Sequence, residues 1–191
     1  MIVSILMPAF DHIRLTTSRL LLRPLYAVDA PFVLALFTDV GFMEFGTTAP
    51  FASIDEADAL VERDRKAMVV GERIRLGIER VADGALIGIC TLFDMDAQSR
   101  KAEIGYGLLT QARGQGYMHE ALLALLEYGF SELGLNRVQA EIDPDNIDSA
   151  RSLQRLGFGK EGQLRENGVV NGVVTDSVSY GLLRRDWKLT A

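Results

Sequence analysis

The stretch "TQARGQGYMHEALLALLEYGF", which begins at Thr110, sets two glycines and an arginine between an apolar run, "AEIGYGLL", and an amphipathic helical pattern. Strand, glycine turn and helix in that order aim successive backbone N–H groups at an anion. Gly114 and Gly116 lack the Cβ atoms that would hold a phosphate away from the backbone. The positive end of the helix dipole and the charge of Arg113 add to the attraction. A Walker-type loop needs Gly-Lys-Ser/Thr at the helix start, and Gly116-Tyr117-Met118 excludes it. A dinucleotide fingerprint finds Gly114-x-Gly116 after a strand and Glu141 in "RVQAEID" near its acidic position, but His119 replaces its third glycine. The third pattern is Gln111-x-x-Gly114-x-Gly116, with the N–H groups of Arg113 to Met118 converging on a diphosphate. A plain turn feeding a helix needs no ligand at all.

Other chemistry is thinly represented. The single cysteine, Cys90, sits in the apolar run "ALIGICTLFDM", where a thiol packs as a small hydrophobe and no internal disulfide is possible. His12 and His119 lie far apart, without a second ligand at metal spacing. A net charge of −6 argues against a nucleic-acid binder, which carries a basic face for phosphates. At 48% hydrophobic and 24% charged the chain reads as a soluble globular protein. Its first residues, "MIVSILMPAF", lack a basic flank and a cleavage site and are too short to span a bilayer, so they read as a first strand or an ordered arm. The cytoplasm is the expected location.

The elements around the turn follow from period and punctuation. "TSRLLLRPL" is strand-like up to Pro24, and "AVDAPFVLALFTD" is a helix with Asp29 as N-cap and Pro31 in its first turn. Ser53 and Glu56 form a capping box for a second helix, whose face carries Ala57, Leu60, Val61, Asp64 and Met68. "RIRLGIERV", "ALIGICTLF" and "AEIGYGLL" form an antiparallel meander, with "ADG" as the first hairpin turn. The helix from about Tyr117 places Met118, Leu122, Leu125, Leu126 and Leu133 at helical spacing, with Gly134 as its C-terminal stop. "RVQAEID" is a strand, "NIDSARSLQRLGF" a helix ending at Gly157, and "GKEGQLREN" with "TDSVSYGLL" a closing hairpin around an "NG" turn. The order implies an α+β sheet with one parallel crossover.

These motifs resemble the GNAT N-acetyltransferase superfamily and, within it, the RimJ/RimL-like group of ribosomal-protein N-terminal acetyltransferases. The resemblance runs from "TSRLLLRPL" to "SVSYGLLRRDW", and its specific core is "AEIGYGLLTQARGQGYMHEAL" followed by "NIDSARSLQRLGF". It implies one acetyltransferase domain over 1–191. The fold would be a mixed, mainly antiparallel sheet with helices on both faces and a splayed parallel strand pair. It implies acetyl-CoA as cosubstrate and no metal. The cofactor would lie on Leu108, Leu109, Thr110 and Gln111, and then on Arg113, Gly114, Gln115, Gly116, Tyr117 and Met118, where its diphosphate sits. Its pantetheine arm would fill the gap beside Leu108 and Leu109 as an added strand. Asn146, which as an ordinary N-cap needs no ligand, would also hydrogen-bond that arm. Ser149 follows in the Asn-x-x-Ser form characteristic of the RimJ/RimL-like group.

Acetyl transfer needs a neutral amine, donors for the developing oxyanion and a donor for the departing thiolate. By the resemblance Glu103 is the candidate base, and a backbone N–H near Leu108 or Leu109 serves the oxyanion. Glu166 in the late hairpin is a second candidate base, although Gly168 takes the position where the family carries its acid. Many family members place a tyrosine where this chain has Leu153. Ser149 is then the nearest donor to the sulfur, by hydrogen bonding rather than outright proton transfer. Direct attack on the acetyl group is expected, with an amine acceptor: a peptide N-terminus or a small amine. Two readings stay open, an N-acetyltransferase and an acetyl-CoA-binding sensor domain without turnover. Glu44, Asp55, Glu56 and Glu62 either attract a cationic acceptor or are solvated surface, and Glu44 and Phe45 lie where they approach the acceptor cleft. The terminal strands offer an edge for a homodimer. No nucleic acid or membrane partner is expected.

Overall fold

The computed structural model describes residues 9–46, 48–170 and 173–187. Its strands are Leu15–Thr16 (β1), Leu20–Pro24 (β2), Ile74–Arg80 (β3), Ala85–Asp96 (β4), Lys101–Leu108 (β5), Arg137–Ile142 (β6), Gly159–Val170 (β7) and Val173–Leu183 (β8). The α-helices are Ala30–Leu36 (α1), Val40–Met43 (α2), Ile54–Val69 (α3), Tyr117–Ser131 (α4) and Ile147–Arg155 (α5). The strands form one sheet in the order β1-β2-β3-β4-β5-β6-β8-β7. Every neighbouring pair is antiparallel except β5 and β6, which α4 joins as a parallel crossover.

Alternation decides what each strand presents. β2 buries every second residue, whereas the middle of β4, Ile87–Leu92, is buried continuously because helices cover both faces of the sheet there. On one face Leu122, Leu125, Leu126 and Phe130 of α4 and Leu153 of α5 meet Leu22, Leu76, Leu92, Ile104, Val138 and Leu182. On the other, Val33 and Leu36 of α1 and Leu60 and Val61 of α3 meet Leu25 and Ile89.

Most sequence expectations survive, with physical reasons for the exceptions. α3 buries Ala57, Leu60, Val61, Asp64 and Met68, and the Glu56 carboxylate accepts the Ser53 N–H as the capping box requires. Asp64 is tolerated on that face because Arg73, just before β3, and Arg75 of β3 donate to its two oxygens at 3.1 and 2.6 Å. Asp29 precedes α1, but its carboxylate caps the turn before it, accepting from the Tyr26 N–H at 2.8 Å and from Arg23. The first helix also ends earlier than its pattern suggests. The Thr38 hydroxyl donates back to the Leu34 carbonyl at 2.8 Å, and Asp39 starts the separate helix α2 by accepting from Phe42 N–H at 2.9 Å. β7 and β8 run longer than expected, to Val170 and from Val173. Asn171 and Gly172 between them, and residues 1–8 of the expected first strand or arm, lie outside the described residues. Among the described residues no helix is long and apolar enough to cross a membrane.

Candidate active site

β5 and β6 pair only through Lys101↔Arg137, Ala102↔Val138 and Glu103↔Gln139. Beyond that point each strand continues without the other. β5 stays bonded to β4 as far as Leu108, and β6 stays bonded to β8 as far as Ile142. The two halves of the sheet therefore part, and a slot opens whose walls are backbone. The Leu109 N–H donates to the Ile87 carbonyl at 2.9 Å, on the β4 side. By strand alternation the N–H groups of Tyr106 and Leu108 point the other way, into the slot. Of the two expected oxyanion donors, Leu108 is the one whose N–H faces it.

The glycine turn follows directly. Its first part is closed on itself. Thr110 donates through N–H and hydroxyl to the Asp39 carboxylate at 3.2 and 2.5 Å, and the Ala112 and Arg113 N–H groups bond the carbonyls of Leu109 and Thr110. Those bonds, with that of Phe42, outweigh the cost of burial and hold the Asp39 carboxyl below its ordinary range. From Gly114 the backbone changes character. Gly114 and Gly116 lie at φ 74° and 77°, the left-handed region that a side chain disfavours. Among the described residues no carbonyl accepts from the N–H groups of Gly114, Gln115, Gly116, Tyr117 or Met118, and the first α4 bond is Glu120 to Gly116. The free amides thus start one residue later than the expected Arg113. Gln111 and Arg113 are exposed beside them.

Arg19, which the sequence reading did not single out, adds a cation to this turn. Its guanidinium donates to the Gln115 carbonyl at 3.0 Å and lies 4.6 Å from the centre of the Tyr117 ring. Glu120 anchors it, accepting from the Thr17 and Ser18 hydroxyls and from the N–H and Nε of Arg19 at 2.6 to 3.0 Å. Those bonds prevail over burial, and the Glu120 pKa is about 2.

At the apex of the slot Glu103 is half-buried opposite Phe93 of β4. Burial pushes its carboxyl above the ordinary value, the negative charges of Glu141 and Asp94 push the same way, and a long 3.4 Å bond from Gln139 opposes them. Gly105 and Gly107 share its face of β5, and a Cβ at Gly107 would run into the ring of Phe42. α2 therefore closes over the same face that presents Glu103. Alternation along β6 puts Gln139 and Glu141 on that face too, a pattern visible in "RVQAEI". Asn167 of β7 and Ser177 of β8 donate to the Glu141 carboxylate at 2.8 and 3.2 Å. Glu166, the second candidate base, is exposed at a bulge in β7, at φ 54°, with its N–H donating to Asp176. Among the described residues no hydrogen bond joins Glu166 to Glu103 or Glu141.

α5 borders the other side. The Asn146 carboxamide oxygen accepts from the Ser149 N–H at 3.0 Å, so it does cap the helix, and its amide NH2 remains available as a donor. Leu153 is fully buried in the core. Tyr106, also missed from sequence, extends from β5 to α5 and donates to the Ser149 carbonyl at 3.4 Å. Glu44 ends α2, whereas Glu56 and Glu62 are engaged with the start of α3 and with Lys66. Cys90 is wholly buried, and desolvation pushes its thiol far above its ordinary value. It is no acyl carrier.

This geometry has counterparts. A model of the acetyltransferase (GNAT) domain matches residues 19–159. The chain is 31% identical over 173 residues to the uncharacterized N-acetyltransferase p20 of Bacillus licheniformis, over 91% of this chain and 97% of that one. A crystal structure of a "Probable acetyltransferase" superposes at 31% identity and TM-score 0.81, over 92% of this chain and 99% of the other. A spermidine N-acetyltransferase from Vibrio cholerae, solved with CoA and spermine, matches at 25% identity and TM-score 0.78, over 89% and 98% of the two chains. With its parallel seam splayed beside a run of free amides and a family model spanning most of its length, this chain belongs to the GNAT acetyltransferase family.

Proposed function

We propose that residues 1–191 form one acetyltransferase domain that moves acetyl from acetyl-CoA to a primary amine by direct attack. The observation that carries this reading is the unbroken run of N–H groups from Gly114 to Met118 that bond no carbonyl among the described residues, placed at the mouth of a slot with backbone walls. Such a run suits a diphosphate, which brings acceptor oxygens and negative charge to a helix N-terminus. Arg113 and Arg19 supply the countercharge. Thr110 and Gln111 lead the turn into the cradle, and Leu109 lines its approach. The slot suits an extended amide-bearing arm, with Leu108 offering its N–H and C=O as a strand neighbour and Asn146 its amide NH2.

Bound acetyl-CoA supplies the thioester, and the remaining chemistry falls to the chain. Glu103, with its raised pKa, takes the proton that the amine must lose before its nitrogen can attack. The Leu108 N–H faces the charge that develops on the acetyl oxygen. The acceptor enters between α1–α3 and the β7–β8 hairpin, where Glu103, Glu141 and Asp94 favour a cationic amine. A small polyamine-like acceptor fits that charge, and the alpha-amine of a peptide, the acceptor of the RimJ/RimL-like group, is the other member of the class. The free edge of β7 is where a second copy would add to the sheet.

Calorimetric titration with acetyl-CoA tests the cradle. We expect saturable binding by the wild-type chain and at least about 100-fold weaker binding by Gly116→Trp, whose side chain crowds the diphosphate at a positive φ. Equal affinities would refute the cradle. A CoA-release assay over polyamines, aminoglycosides and N-terminal peptides then separates an enzyme from a sensor. Binding without any acetylated product would select the sensor.

A further inference from the structure

Resting on that reading, we infer that the Tyr106 phenol is the hydrogen-bond donor to the sulfur that departs during acetyl transfer, acting together with Ser149. The reaction needs a proton acceptor on the amine side of the slot and a hydrogen-bond donor on the sulfur side. β5 meets both needs by alternation, since residues 103 and 106 point to opposite faces of the sheet. Glu103 faces α2 and the acceptor side. Tyr106 faces α5 and packs against the core that holds Leu153.

The phenol already spans the seam where β5 and β6 no longer pair, ending at the Ser149 turn of α5. That turn also carries Asn146, the donor assigned to the cofactor arm. The bond to the Ser149 carbonyl is long at 3.4 Å, so redirecting the hydroxyl to a nearby sulfur costs little. The helix leaves no rival phenol, because Leu153 occupies the next turn. Between the two hydroxyls, a phenol is a far stronger donor than an aliphatic alcohol.

Electrostatics keep the phenol in its donor form. Burial pushes its pKa up to about 12 over the opposing influence of the Ser149 side chain, and Tyr180 of β8 faces it from the sheet. Its partner across β4 is Cys90, a buried thiol that carries no charge. A phenol at about 12 does not surrender its proton outright to a thiolate whose own pKa is about 8.5. The step balances without that transfer. The nitrogen lone pair forms the C–N bond, the C–S bond breaks with its electron pair on sulfur, Glu103 holds the amine proton, and Tyr106 stabilises the thiolate by donating a hydrogen bond.

The test measures the ionisation of CoA bound to the protein, followed by thiolate absorbance against pH, beside steady-state kinetics. In Tyr106→Phe we expect the bound thiol to be about 10-fold weaker as an acid than in the wild type. We also expect kcat to fall about 10-fold with KM for acetyl-CoA within about twofold. Site-specific 3-fluorotyrosine at position 106, a more acidic phenol of almost unchanged shape, should move the bound thiol the opposite way and serves if Tyr106→Phe folds poorly. Normal CoA binding with an unshifted thiol in either variant overturns this role and leaves the parent reading standing. Absence of CoA binding by the wild-type chain overturns both.

Discussion

The two halves of the sheet treat their polar groups in opposite ways. From β2 to β4, every charge pressed toward the interior is closed off by protein. Asp64 is held by Arg73 and Arg75, and Arg23 bonds Asp29 and Glu79 at 2.6 to 3.0 Å. At the β5–β6 seam the partners are long or missing. Gln139 reaches Glu103 at 3.4 Å, Tyr106 reaches Ser149 at 3.4 Å, and among the described residues the amides from Gly114 to Met118 bond no carbonyl. Buried polar groups are rarely left so poorly satisfied, and exposed amides such as those of the glycine turn are completed by water or a ligand. The first half satisfies its charges internally, and the second leaves donors and acceptors for water or a ligand.

The sharpest way to break this contrast is to strip the scaffold of one internal partner. Asp64→Leu leaves the Arg75 guanidinium buried without its carboxylate, and we expect a loss of about 3–5 kcal/mol in denaturant unfolding. Turnover per folded molecule should stay near the wild-type value, since α3 meets β3 away from the slot. A stability change under about 1 kcal/mol would deny that the ion pairs close this half.

At the seam the signs reverse. Glu103→Gln removes a group that the scaffold does not need, so stability should hold while kcat falls about 100-fold near neutral pH. The deficit should narrow as pH rises, because solvent then deprotonates the amine. In the wild type the acid limb of kcat should have its midpoint above 4.5, the ordinary glutamate value, because burial raises the Glu103 pKa. A deficit constant across pH would make Glu103 a positioning group instead of a base.

The smallest effect belongs to Glu120, which joins the two regions by tying the β1–β2 turn to the start of α4. Glu120→Gln should cost about 1.5 kcal/mol through its charge-assisted bonds. Its folded pKa is about 2, below the ordinary 4.5, so the carboxylate stabilises the fold fully above about pH 4.5. That contribution fades as pH falls from there toward about 2, and the variant should lack this part of the acid slope. Melts recorded across that range with superimposable slopes would reject the assignment.

Much of this organisation is written locally. The period of α3 named its buried face down to Asp64, the Gly114-x-Gly116 spacing marked the turn of free amides, and Asn146 announced the start of α5. Each is set by neighbours a few residues away, through helical spacing, capping or a glycine's access to positive φ. Glu103 and Ser149 were named by family resemblance, which transfers a position without its surroundings. Tyr106 and Arg19 escaped notice, and Glu141 was weighed only as a dinucleotide's acidic position, because nothing beside them in the chain reveals their partners. Ser149 lies 43 residues from Tyr106, and Glu120 lies 101 from Arg19.

The sequence by itself determined the elements, the turn that offers its amides and the strand that carries a carboxylate, because short-range sterics and periodicity suffice for these. Only the tertiary structure decided where β5 and β6 stop pairing, which amides remain unbonded, and which hydroxyl and cation come to stand beside them. Those outcomes depend on strand register and on contacts between distant segments, and a register slip of one residue would turn Glu103 and Tyr106 each to the other's face.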